Sequence, residues 1–143
     1  MEWIIREKYL NELISLSETP DIKVITGVRR SGKSILLQQY GEWLQNNKPN
    51  VNIISAKLQE LEYNELLDYK KLHSYVCDCY KEGFYNVVMI DEVQLCEKFE
   101  LAINSLHAKQ KFDIYLTGSN AFLMSSDLAT LFTGRVMEVK VYP

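Results

Sequence analysis

The octapeptide Gly27-Val28-Arg29-Arg30-Ser31-Gly32-Lys33-Ser34 leaves this chain few folds to choose from, because it meets every fixed position of the pattern Gly, four residues, Gly-Lys-Ser/Thr. That pattern works as the turn between a strand and a helix. Glycines let the backbone pass close to phosphate oxygens, and successive main-chain N–H groups in the turn form a concave anion nest. Lys33 brings positive charge to the β- and γ-phosphates. The Ser34 hydroxyl is a hard oxygen ligand for Mg²⁺, and the following helix, with Ile35 in its first turn, adds the positive end of its dipole. The flanks agree. Ile22-Lys23-Val24-Ile25-Thr26 is a β-branched run, and Ile35, Leu36, Leu37, Tyr40, Trp43 and Leu44 recur afterwards at helical spacing. Residues 27–35 are therefore the expected phosphate cradle; the alternative is a glycine turn with a merely solvated Lys33.

The rest of the chain alternates helix and strand. Residues 3 to 16 put Ile5, Tyr9, Leu13 and Leu16 on one helical face, and Pro20 in the turn cluster that follows cannot continue the helix. A second strand is expected at Val51 to Ser55. Residues 58–81 have helical periodicity that reads as two helices, with Asp68 as an internal cap and Gly83 as the C-terminal cap. Val87-Val88-Met89-Ile90 is an uninterrupted apolar run of the kind a parallel strand shows when buried on both faces. A helix over 97–109 and a strand from Phe112 to Leu116 come next. After a polar, helical-looking stretch, Met137, Val139 and Val141 alternate with Glu138 and Lys140, which predicts an edge strand. The alternation implies an α/β fold with a mostly parallel sheet and right-handed crossovers. One domain accounts for 143 residues.

Composition excludes more than it suggests. A net charge of -3 argues against a general nucleic-acid surface, which needs clustered cations. The Lys70-Lys71 pair reads as a solvated helix face. There is no signal-peptide core and no apolar run long enough to span a bilayer, so a soluble, cytoplasmic chain is expected. Three cysteines make an odd count, which suits a reducing compartment. Cys77 and Cys79 are two steps apart on a helix and point in different directions. His73 shares a face with Cys77, but two ligands are half of a structural zinc site, so packing is the expected role.

Ligands of open parallel sheets sit beyond the carboxyl ends of the strands, and two further polar clusters fall there. Asp91 and Glu92 close the apolar run. Two acids at the end of a buried strand are costly unless they serve a cation or a reaction. Asp91 is the expected Mg²⁺ partner, and Glu92 is placed to polarise a water for in-line attack on a γ-phosphate. Ser119 and Asn120 close the next strand, where they either orient that water or are ordinary turn and cap residues. Arg135 has three readings: charge neutralisation in its own subunit, the same service to a neighbour, or a surface pair with an acid.

Together, residues 22–37 (IKVITGVRRSGKSILL), Val88 to Gln94 (VMIDEVQ), Leu116 to Asn120 and Leu131 to Arg135 resemble the prokaryotic AAA-type ATPases of the VRRSGKS kind. The resemblance covers nearly the whole chain. It implies a three-layer α/β/α P-loop NTPase with a five-stranded sheet in the order 5-1-4-3-2, and ATP and Mg²⁺ as ligands. It implies that Ser119 is the polar sensor of the fourth strand and Arg135 the family's Gly-Arg element. It also implies a continuation into a lid and a C-terminal domain, so the expectation is a fragment with weak turnover.

The leading expectation is thus an ATPase domain, with a nucleotide-dependent binding module as the alternative. A small-molecule phosphotransferase fits less well, since no acceptor pocket is evident. GTP is disfavoured because Asn47-Lys48-Pro49-Asn50 lacks the Asp of the guanine-reading motif and follows the first post-loop helix instead of a late strand. Assembly with further copies of the chain stays open.

Overall fold

A computed structural model describes residues 2–27, 32–119 and 130–142. The element order is α1 (Glu2–Ser15), β1 (Ile22–Gly27), α2 (Lys33–Asn47), β2 (Val51–Lys57), a 3₁₀ helix (Leu61–Leu67), α3 (Tyr69–Cys79) and β3 (Tyr85–Asp91). A short 3₁₀ turn (Val93–Leu95), α4 (Phe99–Ala108), β4 (Asp113–Ser119) and β5 (Val136–Lys140) complete it. The strands form one sheet in the order β2-β3-β4-β1-β5, which is the order the resemblance implies, and every pairing is parallel.

The strands alternate their side chains between two apolar layers. Val88 and Ile90 face one way with Val24, Ile54, Ile114 and Leu116, against Leu72 and Val76 of α3 and Ile103 and Leu106 of α4. Val87 and Met89 face the other way with Ile25 and Tyr115, against Leu13 of α1 and Leu36, Tyr40 and Leu44 of α2. Each layer needs the period of its partner: Leu72 and Val76 are one turn apart, and Phe99, Ala102, Ile103 and Leu106 make one stripe. Truncating a fully buried member such as Ile90 to Ala would cost about 2–5 kcal/mol. β5 lies at the margin beside β1, as its alternating pattern predicts.

The two expected helices after β2 are present, though the first is 3₁₀. Asp68 separates them and caps α3, its carboxylate accepting from the N–H groups of Lys70 (2.8 Å) and Lys71 (3.4 Å). Gly83 is a correction. α3 already ends at Cys79, where Tyr80 turns the backbone extended, so Gly83 (φ 82°) belongs to the following turn. Asn86 organises that turn: its side chain accepts from Lys81 N–H and donates to the carbonyls of Lys81 and Phe84.

At the amino ends of the strands lies a buried charged network. Lys23 Nζ donates to Asp113 Oδ1 (2.6 Å) and to the Thr19 carbonyl (2.6 Å). Asp113 Oδ2 accepts from Glu18 N–H (3.0 Å), Tyr115 OH (3.1 Å) and Tyr85 OH. Tyr40 OH shares a hydrogen bond with Tyr115 OH (2.7 Å). Burial above all pushes the Tyr115, Tyr85 and Tyr40 phenols up, with Asp113 adding to it in each case.

Candidate functional site

The phosphate motif spans the carboxyl end of β1 and the start of α2. Of the expected cradle, Gly27, Gly32, Lys33, Ser34 and Ile35 are described, while Val28, Arg29, Arg30 and Ser31 lie outside the described residues. Gly32 is the N-cap of α2 with φ 88° and ψ 16°, a left-handed conformation that only glycine adopts cheaply. Having no side chain, it supplies no side-chain cap to the first N–H groups of α2, and the helix's first turn carries no acid. Lys33 is 4% exposed and its Nζ donates to the Gly27 carbonyl (3.1 Å), which turns the ammonium toward the carboxyl end of β1.

Across from the loop, the carboxyl end of β3 presents Asp91. The Ser34 hydroxyl donates to Asp91 Oδ2 (2.6 Å), so the two expected Mg²⁺ ligands meet although 57 positions separate them. Gln59 Nε2 also donates to Oδ2 (2.9 Å), and Thr117 Oγ1 donates to Oδ1. Asp91 is 2% exposed, and its partners among the described residues are uncharged. A buried carboxylate held by neutral donors has its hydrogen bonds met without a cation in direct contact among the described residues. Together with the Ser34 oxygen it makes a hard, one-carboxylate donor set. That suits Mg²⁺, which keeps waters and takes phosphate oxygens, better than metals that need a protein cage. No group of three or more His, Cys, Asp or Glu that could form such a cage occurs among the described residues.

Glu92 follows with φ 57° and ψ 52°, left-handed for a residue with a side chain. Its N–H donates to Thr117 Oγ1 (2.9 Å), and Gln94 Nε2 donates to its Oε2 (2.5 Å). Thr117 therefore fastens both acids, one through its hydroxyl proton and one through its oxygen. Ser119 ends β4, buried, in register with Gly27 across the ladder, so it stands beside the start of the phosphate loop. Asn120 lies outside the described residues. A cleft of about 300 Å³ opens beside Ser34 and Asp91 between α2 and β2, with Gln38, Glu42 and Lys57 on its walls.

Arg135 does not join this group. It precedes β5, whose Val136 pairs with Ile22 at the start of β1, and its carbonyl accepts from Ile22 N–H (2.8 Å). Parallel strands put it at the amino edge, about 17 Å of β1 away from the phosphate loop. Its side chain is 81% exposed with Nε 3.7 Å from Asp21 Oδ2, the surface-pair reading. Service to its own subunit's phosphates is thereby removed. Gly134 before it packs against a ring: an added Cβ would sit 2.5 Å from His107 Cε1, and His107 Nε2 is fixed 2.7 Å from the Pro20 carbonyl oxygen.

Of the site residues, Gln59 escapes the sequence reading altogether, while Thr117 and Gln94 stand in the quoted motifs without a role of their own. Thr117 carried a signal, since it lies two positions before Ser119 and so on the same side of β4. Gln59 sits in a loop and carried none. His73 and Cys77 do share a face, at 3.9 to 4.0 Å, and His73 also meets Ser105 (2.9 Å); no further ligand joins them among the described residues.

Comparison with known proteins adds the following. The family model described as "AAA domain" matches residues 19–143. An uncharacterised protein of Haemophilus influenzae is 42% identical over 144 residues, covering 98% of this chain and 36% of that protein. An uncharacterised protein of Methanocaldococcus jannaschii is 28% identical over 140 residues, covering 96% and 30%. The chain thus spans about a third of the length of the curated relatives it matches. Among solved structures, one from Drosophila ORC bound to DNA superposes with a TM-score of 0.62 at 10% identity, covering 100% of this chain and 94% of the other, a likeness of fold alone. No helix among the described residues is long and apolar enough to cross a membrane.

Proposed function

We propose a function from one premise: the chain belongs to the AAA domain family. It binds ATP with Mg²⁺ and hydrolyses it. The observation that carries this reading is the meeting of Ser34 and Asp91 at 2.6 Å, beside Lys33 at a helix N-terminus whose N-cap is glycine. Residues 27–35 would hold the phosphates, Lys33 neutralising the terminal ones and the first N–H groups of α2 donating to their oxygens. Ser34 and Asp91 would hold Mg²⁺, which would supply neutralisation of phosphate charge. Glu92, fixed at the mouth of the site, would take a proton's share from the attacking water, and Ser119 would hold that water or the γ-phosphate in line.

Arg135 enters this reading only from a second copy of the chain, since its own site is at the other end of the sheet. The greater length of the relatives leaves room for a further domain on which hydrolysis acts, and that coupling is part of the proposal. Phosphate release, compared with a Glu92→Gln control at matched ATP occupancy, is the test. Release in the parent that vanishes in the control supports an ATPase. Tight binding with equal, negligible release in both supports the nucleotide-dependent binding module instead.

A further inference from the structure

Glu92 is held at three points, and the third has no structural reason to exist. Its backbone is left-handed, its N–H is bonded to Thr117, and its carboxylate is bonded to Gln94 Nε2 at 2.5 Å. The first two fix where the residue sits. The third fixes where its carboxylate points, because a Glu side chain on a fixed backbone still has three free rotors.

The sense of the Gln94 amide follows from this contact. Turned over, it would set a carbonyl oxygen against a carboxylate, so nitrogen must face Glu92 and Oε1 must face the protein. There Oε1 is buried with no hydrogen-bond partner, the one such side-chain atom among the described residues. A buried acceptor left unmade costs stability, and an apolar side chain of the same length would avoid the cost. The amide thus leaves one of its own polar atoms unserved while serving one oxygen of one acid.

We propose that Gln94 is a positioning residue that orients the Glu92 carboxylate toward the attacking water, an inference that rests on the hydrolysis reading above. With Oε2 engaged by the amide, Oε1 is the oxygen left to accept the water's hydrogen. Orientation of this kind shows in turnover and not in nucleotide affinity, because the amide touches no expected phosphate or metal ligand.

The test uses Gln94→Met in the protein at its natural length, with Gln94→Ala as a second variant that removes the amide and the packing together. In Gln94→Met the unpaired oxygen and the bond to Glu92 go together, so Tm should stay within about 3 °C of the parent. MgATP affinity should stay within about twofold of the parent, and kcat should fall by about 10- to 100-fold. In a Glu92→Gln background the same substitution should cost nothing further, since the group it orients is already lost. Gln94→Ala should show the same kinetics with a lower Tm than Gln94→Met, which separates turnover from stability. A Gln94→Met protein as active as a parent that does release phosphate would overturn the inference and leave the hydrolysis reading standing, as would an equal loss with and without Glu92. A parent indistinguishable from Glu92→Gln would overturn the hydrolysis reading itself and the inference with it.

Discussion

Asp91 and Asp113 are both buried and sit at opposite ends of one parallel sheet, yet their surroundings answer the cost of burying charge differently. Asp113 has Lys23 at 2.6 Å, one main-chain N–H and two tyrosine hydroxyls, so its charge and its lone pairs are both satisfied within the fold. Asp91 has a serine, a threonine and a glutamine, which satisfy its lone pairs only. The first arrangement is complete without anything added. The second gains when a cation arrives. On the proposed reading the compensated acid is structural and the other is a cation ligand, a difference that fractional exposure, 7% against 2%, does not reveal.

The comparison breaks most visibly at the compensated end. Asp113→Ala strands the Lys23 ammonium in the interior, and losing one member of a buried pair costs about 3–5 kcal/mol. Urea or thermal unfolding should register the full loss; a change below about 1 kcal/mol would mean Lys23 finds water or another acceptor. At the other end, Lys33→Ala should weaken ATP binding by about 10- to 100-fold, the worth of a charged hydrogen bond to phosphate. Calorimetry measures this, and equal affinity in mutant and parent would remove the phosphate-site assignment.

Asp91→Asn sharpens the contrast because its effect should be nearly opposite to that of Asp113→Ala. The ligand-free protein should unfold at the same temperature or slightly higher, since a buried charge is exchanged for a neutral amide whose oxygen takes the Ser34 and Gln59 donors while its nitrogen donates to Thr117 Oγ1. The part of ATP affinity that depends on Mg²⁺ should vanish, while the Mg²⁺-free part persists. A marked drop in Tm would place Asp91 with Asp113 as a structural acid.

The smallest effect is in alkali. Burial raises the Tyr115, Tyr85 and Tyr40 phenols above the ordinary value of 10.0, so the folded chain keeps these protons longer than the unfolded one. Their contribution is fully present below pH 10 and is lost as pH rises beyond it, because the unfolded chain alone releases protons there. Tyr115→Phe should flatten the fall of Tm above pH 10, at a cost of about 1 kcal/mol at neutral pH for the lost bonds to Asp113 and Tyr40. An unchanged slope would show that Tyr115 does not contribute to it.

How much of this the sequence displays depends on the range of the contact. Val87 to Ile90 reads as a buried central strand because both faces are apolar, and it is one; that β3 also includes Tyr85 and Asn86 is hidden, since those side chains serve Asp113 and the 80–86 turn. Asp68 is legible as a cap because capping is local. Ser34 and Asp91 are legible as a pair only through the motif, whose spacing encodes a fold. Thr117, Gln59 and Gln94 reach the acids by hydrogen bonds that no periodicity announces. Of the three readings of Arg135, service to its own subunit could have been set aside from the sequence: in a parallel sheet, whatever immediately precedes a strand stands at the end opposite the phosphate loop.

The chain contains two glycine-cation pairs, Gly32-Lys33 and Gly134-Arg135, that look alike as text and forbid substitution for unrelated reasons. Around Gly32 a Cβ would meet nothing within 4 Å, and the obstacle is the torsion of its own backbone. Gly134 has no such torsion, and the obstacle is the imidazole of residue 107. Intolerance at position 32 is therefore intrinsic, and no second-site change relieves it. Intolerance at position 134 is conditional: a smaller residue at 107 makes room for alanine, so these two positions can drift together through a lineage while 32 stands still. Variation in this family should accordingly appear as correlated exchange at the foot of the sheet and as invariance at its mouth.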